Sequence, residues 1–229
     1  MVNLTRIYTR TGDAGQTRLS DMSLAAKTDP RVEAYGHVDE ANSILGIVTA
    51  LPELSDDLRQ LLGTVQNELF DVGADLSNPV VAAPEWEPLR IVQASVDRLE
   101  GWCDQYTEGL PELRSFILPG GNLPGAYLHL ARTVVRRAER AGWVAAEAYG
   151  LGVQADGAPG GVNALALTYL NRLSDLLFIV SRVANGTADE VLWVPGKDRE
   201  PADARARRQR DRIERASGTT RPEEQPPSS

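Results

Sequence analysis

Residues 162–185 read VNALALTYLNRLSDLLFIVSRVAN, and this stretch decides the fold. At ~100° per residue, Leu165, Leu167, Leu170, Leu173, Leu176, Leu177, Ile179, Val180 and Val183 cover most of a helix's circumference. Asn171, Asp175 and Arg182, at i, i+4 and i+11, form the narrow polar seam that is left. A helix this apolar is central in a bundle or covered by another subunit. Asn185-Gly186 supplies its C-cap. Polar groups on the seam need partners, because an unpaired buried one costs ~1–3 kcal/mol. A structural network and a binding site meet that need equally well.

Upstream, residues 116–140 read FILPGGNLPGAYLHLARTVVRRAER, an aromatic and a Pro-Gly-Gly break leading into a helix over 123–149. Arg132, Arg136 and Glu139 share one narrow arc, flanked by Leu128, Ala131, Val135, Ala138 and the stem of Arg137. Arginines beside apolar positions meet phosphate or carboxylate well, because the planar fork bonds bidentately and keeps its proton. A solvated face of Arg/Glu pairs has the same spacing.

Three more helices are predicted before it. The first follows Asp29-Pro30, a cap and a first-turn proline, with Val32, Tyr35, Ala41, Ile44, Leu45, Val48 and Leu51 on its apolar stripe. Asp39 on that helix is placed to pair with an arginine of another. The second runs from Ser55 to about Leu76 and ends at Asn78-Pro79. The third is marked by Leu89, Val92, Val96, Leu99 and Trp102 or Cys103. Residues 150–161 form a glycine-rich loop. The fold class is all-α, a five-helix bundle over 30–196 with a short non-helical N-terminal segment, 1–29. Residues 197–229, rich in charge, Pro and Ser, form a polar tail, disordered or a detached helix.

The 229 residues carry a net charge of -8 and a pI near 4.9, which argues against general nucleic-acid binding. One cysteine, Cys103, excludes an internal disulfide and a cysteine-cluster metal site. Two histidines, His37 and His129, speak against a His-rich catalytic metal and read as structural. No apolar run approaches ~18 residues, so no membrane span is expected, and without a signal-peptide pattern the expected location is cytoplasmic.

In the N-terminal segment, Thr9, Arg10, Thr11, Gly12, Asp13, Ala14, Gly15, Gln16 and Thr17 combine hydroxyls, a base and glycines. Glycines let backbone N–H groups turn toward an anion, and hydroxyls and a guanidinium add donors. The order is not that of a Walker A loop, and a surface turn has the same composition. Lys27 stands where it could add a phosphate contact. Trp143 and Phe178 are aromatics of the kind that fill cores.

Three blocks carry a family resemblance: TRTGDAGQT with RVEAYGHVDE, FILPGG with LARTVVRRAER, and YLNRLSD. In this order they resemble the PduO-type ATP:cob(I)alamin adenosyltransferases, over roughly residues 5–196. The resemblance implies a five-helix bundle assembled as a homotrimer, with active sites at subunit interfaces. It implies transfer of the 5'-deoxyadenosyl group of ATP, with Mg²⁺, to the cobalt of cob(I)alamin, releasing triphosphate. A carrier that binds both molecules and delivers the cofactor to an adenosylcobalamin-dependent enzyme is the alternative, and a reductase is a further implied partner. By similarity, Thr9, Arg10, Thr11, Gly12, Asp13, Gly15, Thr17 and Lys27 wrap the triphosphate. Arg136, Glu139 and Asn171 contact ATP, with Arg137 close by. Asp39 and Arg132 form a salt bridge across the interface, Phe116 closes the lower face of the corrin, and Phe178 lines the same pocket. Arg132, Asp39, Arg136 and Phe116 are the implied catalytic set. The chain departs from the family pattern at His37, where a small hydroxyl residue is expected, at Pro124-Gly125, and in the 150–162 loop.

Overall fold

In the computed structural model, residues 8, 10–187, 190–199 and 202–217 are described. The order is β1 (Gln16–Arg18), β2 (Leu24–Ala26), α1 (Pro30–Ala50), α2 (Asp56–Leu76), α3 (Gln93–Thr107), α4 (Leu123–Tyr149), α5 (Ala164–Asn185) and α6 (Ala202–Ser217). Two compact units divide the chain after Val191. The first is an all-α bundle of α1–α5 carrying a small hairpin. The second holds a short 3-10 turn, Gly196–Asp198, and α6, whose sequence ADARARRQRDRIERAS has one large apolar residue, Ile213.

Within the bundle, α1 packs on α2 and α4, while α5 packs on α3 and α4. The central position of α5 follows from its composition. Tyr169, Leu170, Leu173, Leu176, Leu177 and Val180 are fully buried, each worth roughly 1.5–3 kcal/mol. On length and composition α5 passes as a membrane span, contrary to the expectation that no run comes close; here the bundle covers it. Most of the apolar circumference is thus buried inside one chain, with Leu165, Phe178, Ile179 and Val183 left half-exposed. The large apolar groups left exposed lie elsewhere, among them Phe70 on α2, Leu123, Leu130, Trp143 and Val144 on α4, and Phe116.

Local chemistry sets the helix ends. Asp29 caps α1 by accepting from the Arg31 N–H at 2.8 Å, and Ser55 caps α2 through the Leu58 N–H. Asn122 caps α4 by accepting from the Gly125 N–H at 2.9 Å. Pro124-Gly125 therefore lies within the first turn of α4 and interrupts nothing, since a first-turn proline has no partner to lose. The third helix begins at Gln93, later than its apolar pattern predicts. The preceding residues are held by the buried Asp75 carboxylate, which accepts from Arg90 Nη1 and the Ile91 N–H, both at 2.7 Å. Leu89 and Val92 are exposed as a result.

The described part of the N-terminal segment is non-helical as expected and forms an antiparallel hairpin, with Thr17 opposite Ala25. Ser20 ties it to the end of α2, its hydroxyl 3.0 Å from that of Ser77. The glycine-rich loop after α4 packs against the start of α1. Buried Arg31 lies 4.5 Å from the centre of the Tyr149 ring and donates to the carbonyls of Gly160 and Gly161. A side chain on Gly161 would overlap the Gly152 carbonyl, so close backbone approach explains a glycine there.

Candidate functional site

The hairpin brings Gly12 and Lys27 together. A side chain on Gly12 would meet Lys27 Nζ at 3.2 Å, so the ammonium lies directly over the turn. The turn is closed by the Gly15 N–H on the Gly12 carbonyl at 3.2 Å, and the Lys27 N–H donates to the Gly15 carbonyl at 2.9 Å. Gly15 has φ +80, a left-handed conformation that glycine adopts without strain. Arg10 also has positive φ, and its guanidinium lies 5.6 Å from the Tyr8 ring centre. Thr11 and Asp13 are exposed and Thr17 is half-buried. Thr9 lies outside the described residues.

Lys27 opens onto a cleft of about 490 Å³ that Glu33 and His37 of α1 share with Arg137, Arg140 and Val144 of α4. Arg137 donates through Nε to His37 Nδ1 at 3.2 Å and through its terminal nitrogen to Glu40. His37 Nε2 is 3.0 Å from Glu33. The Arg137 contact holds the Glu40 carboxyl below the usual range. His37, the departure from the family pattern, is thus one link of a charged chain along the cleft wall.

On the bundle side, Glu139 of α4 and Asn171 of α5 meet: Asn171 Nδ2 donates to Glu139 Oε1 at 3.1 Å. The Asn171 carbonyl accepts from Arg172 at 2.9 Å, and Arg172 donates to Glu100 at 2.6 Å. Arg132 and Arg136, one turn apart, are close enough for charge repulsion. Burial first, and Arg136 second, lower the pKa of Arg132. Among the described residues Arg132 makes no ion pair, and its buried Nε has no partner. Asp39 makes no ion pair either. It is exposed on a second cleft, of about 480 Å³, that also holds Arg18, Tyr35, Asn42 and the exposed Phe70.

Phe116 is 78% exposed. The residues that follow it are anchored at several points. The Leu118 N–H donates to the Val191 carbonyl at 2.8 Å, and Asn185, the last residue of α5, holds the glycines. Asn185 Oδ1 accepts from the Asn122 N–H and Nδ2 donates to the Gly120 carbonyl, both at 3.0 Å. Phe178 is half-buried and meets His129 edge-on, ring centres 6.1 Å apart. Asn171, Phe178, Arg182 and Asn185 follow one stripe of α5.

Residues 7–184 match the family model for cobalamin adenosyltransferase. The chain belongs to the cobalamin adenosyltransferase family. It is 58% identical over 198 residues to a corrinoid adenosyltransferase of Mycobacterium tuberculosis, covering 86% of this chain and 97% of that one. A corrinoid adenosyltransferase of Bacillus subtilis is 42% identical over 188 residues, covering 79% and 86%. Among solved structures, a variant PduO-type ATP:corrinoid adenosyltransferase from Lactobacillus reuteri complexed with cobalamin and ATP superposes with a TM-score of 0.72. It is 37% identical, over 84% of this chain and 99% of that one.

In this cobalamin adenosyltransferase-family chain the sequence reading missed the residues that hold the site's loops. Asn185 read as a helix cap, and nothing local shows that it reaches back to Gly120 and Asn122. Arg182, seen only as part of a polar seam, is buried against Glu190 at 2.7 Å and donates to the Pro111 carbonyl at 2.9 Å. The signal available was its position in an otherwise apolar helix.

Proposed function

We propose that this chain transfers the 5'-deoxyadenosyl group of ATP to the cobalt of a reduced corrinoid, with triphosphate as leaving group. The observation that carries the reading is the seating of Lys27 over the Gly12 turn, facing a cleft with Arg137 and Arg140. An ammonium above a glycine turn, with Thr11, Thr17 and Arg10 nearby, suits a polyphosphate. Thr9, Asp13 and Gly15 complete the triphosphate segment of residues 1–29, and Arg136, Glu139 and Asn171 contact the nucleoside end. Mg²⁺ enters with the nucleotide. Among the described residues no group of three or more His, Cys, Asp or Glu side chains forms a cage for it.

A cobalt(I) centre is itself a strong nucleophile, so the protein's work is to position and to stabilise charge. Cobalt attacks C5' in line, the Co–C bond forms as the C5'–O bond breaks, and Lys27 and Arg136 stabilise the charge gathering on triphosphate. Phe116 and Phe178 form the apolar wall of the corrin site. Phe116 keeps a lower ligand off cobalt, which eases reduction from the cobalt(II) state.

The assembly we propose is a homotrimer in which Arg132 of one copy meets Asp39 of the next. Supporting this, Arg132 is partly buried beside another cation with no carboxylate in reach, while Asp39 is exposed beside Phe70. The N-terminal segment and the 30–196 bundle carry the catalysis together.

The test is an absorbance assay with chemically reduced cobalamin. A spectral change for Co–C bond formation is expected with ATP and not with ADP or AMP. Tight binding of ATP and cobalamin without that change would reassign the chain as a carrier.

A further inference from the structure

His129, on α4 one turn before Arg132, is 2% exposed and belongs to no step above. Its surroundings favour one tautomer. The Ser181 hydroxyl spends its one proton on the Phe178 carbonyl, 2.7 Å away. The 3.2 Å contact between Ser181 Oγ and His129 Nε2 must then be donated by Nε2–H. A neutral imidazole protonated at Nε2 has a lone pair on Nδ1. Burial, followed by the charge of Arg132, lowers the pKa of His129, and Glu190 is the one opposing carboxylate. The ring therefore stays neutral near pH 7.

Two buried polar atoms in this region have no partner: His129 Nδ1, an acceptor by this tautomer, and Arg132 Nε, an N–H donor. They sit three residues apart on one helix, where i and i+3 side chains are neighbours, and they are complementary. The same ring meets Phe178 edge-on. We propose that His129 is a positioning residue of the corrinoid site. Its Nδ1 takes the Arg132 Nε–H through one bridging water, aiming the rest of the guanidinium outward, while its ring braces Phe178. The functional part of this rests on the roles given above to Arg132 and Phe178; the hydrogen bond does not.

The experiment has a spectroscopic arm and a kinetic arm. With only two histidines in the chain, ¹⁵N-histidine NMR is assigned by the H37Q variant. The wild-type protein should show His129 as the Nε2–H tautomer between pH 7 and 8, and R132A should move the Nδ1 resonance toward that of a free lone pair. An Nδ1–H tautomer, or no response to R132A, overturns the proposal whatever the protein's activity.

In kinetics, H129N places an amide oxygen near Nδ1 and keeps the acceptor. H129Q reaches Ser181 but leaves Arg132 without one. H129N should retain activity within about threefold, whereas H129Q raises the corrinoid KM about tenfold at unchanged ATP KM, as loss of a hydrogen bond to a charged group does. H129Q combined with R132A should cost no more than R132A alone. Equal losses in H129N and H129Q that track melting temperature, or strict additivity, would overturn it. A wild-type protein without transfer activity would sink the functional reading and leave the NMR result to decide the hydrogen bond.

Discussion

Asn185, at the end of α5, occupies the space that a side chain on Gly125 would need. The same amide crowds Gly121, which has φ +102, so glycine is required there twice over, for volume and for backbone conformation. Gly125→Ala should destabilise the protein by ~1–3 kcal/mol through overpacking, read as a lower melting temperature. Asn185→Ala removes the obstacle, so the double variant should lose less than the two single losses combined. Full additivity would show that the overlap is relieved elsewhere.

Lys27 is expected to serve ATP and not the fold. Lys27→Ala should weaken ATP binding at least tenfold by calorimetry while the melting temperature stays within a degree or two. A matching loss of stability would make Lys27 a hairpin strut.

Arg132→Ala and Asp39→Ala should each lower activity, and together cost less than the sum, because removing one partner of a pair strands the other. The proposed trimer should loosen in both, measurable by sedimentation at micromolar concentration. Strict additivity with an unchanged assembly would exclude direct pairing.

Phe116→Ala should abolish most activity from cobalt(II) with a mild reductant and much less from pre-reduced cobalt(I), with ATP affinity nearly unchanged. Because Phe116 is 78% exposed, the substitution should leave stability almost intact, far from the ~3–5 kcal/mol that loss of a buried Phe costs. Equal loss in both assays would remove it from the corrin wall.

Burial, ahead of nearby Asp175 and Asp104, pushes the Cys103 thiol up to about 11. The thiolate is the reactive form, so labelling by a disulfide reagent at pH 8 should run roughly a hundredfold slower than for a thiol of pKa near 9. Rapid labelling of the native protein would show that α3 opens.

The helices were legible because each buries a face at a regular period: Leu58, Leu62, Val65, Leu69 and Val72 announce α2, and all are buried. The meeting of Gly12 with Lys27 was legible only through family resemblance, since fourteen residues intervene and no local pattern measures that return. Asp75 was invisible for a different reason. One carboxylate in a helix looks like any other until Arg90, the Ile91 N–H and Asn163 converge on it from distant segments. That convergence is also why α3 starts late. The apolarity of α5 does not by itself call for another subunit, because its own neighbours bury most of that helix. Arg132 and Asp39, unpaired with any carboxylate or cation among the described residues, are better grounds.

The stripe of Asn171, Phe178, Arg182 and Asn185 makes α5 a gauge. At ~1.5 Å rise per residue, the nucleotide contact proposed at Asn171 and the corrin contact proposed at Phe178 are spaced by ~10 Å of rigid rod, and the Pro-Gly-Gly segment hangs from the rod's far end. Substitutions on the stripe change one contact each. A single-residue deletion between Asn171 and Phe178 would instead swing every later member by ~100°, turning Phe178 and Asn185 away together. Length, more than the identity of any one residue, is what this helix cannot vary.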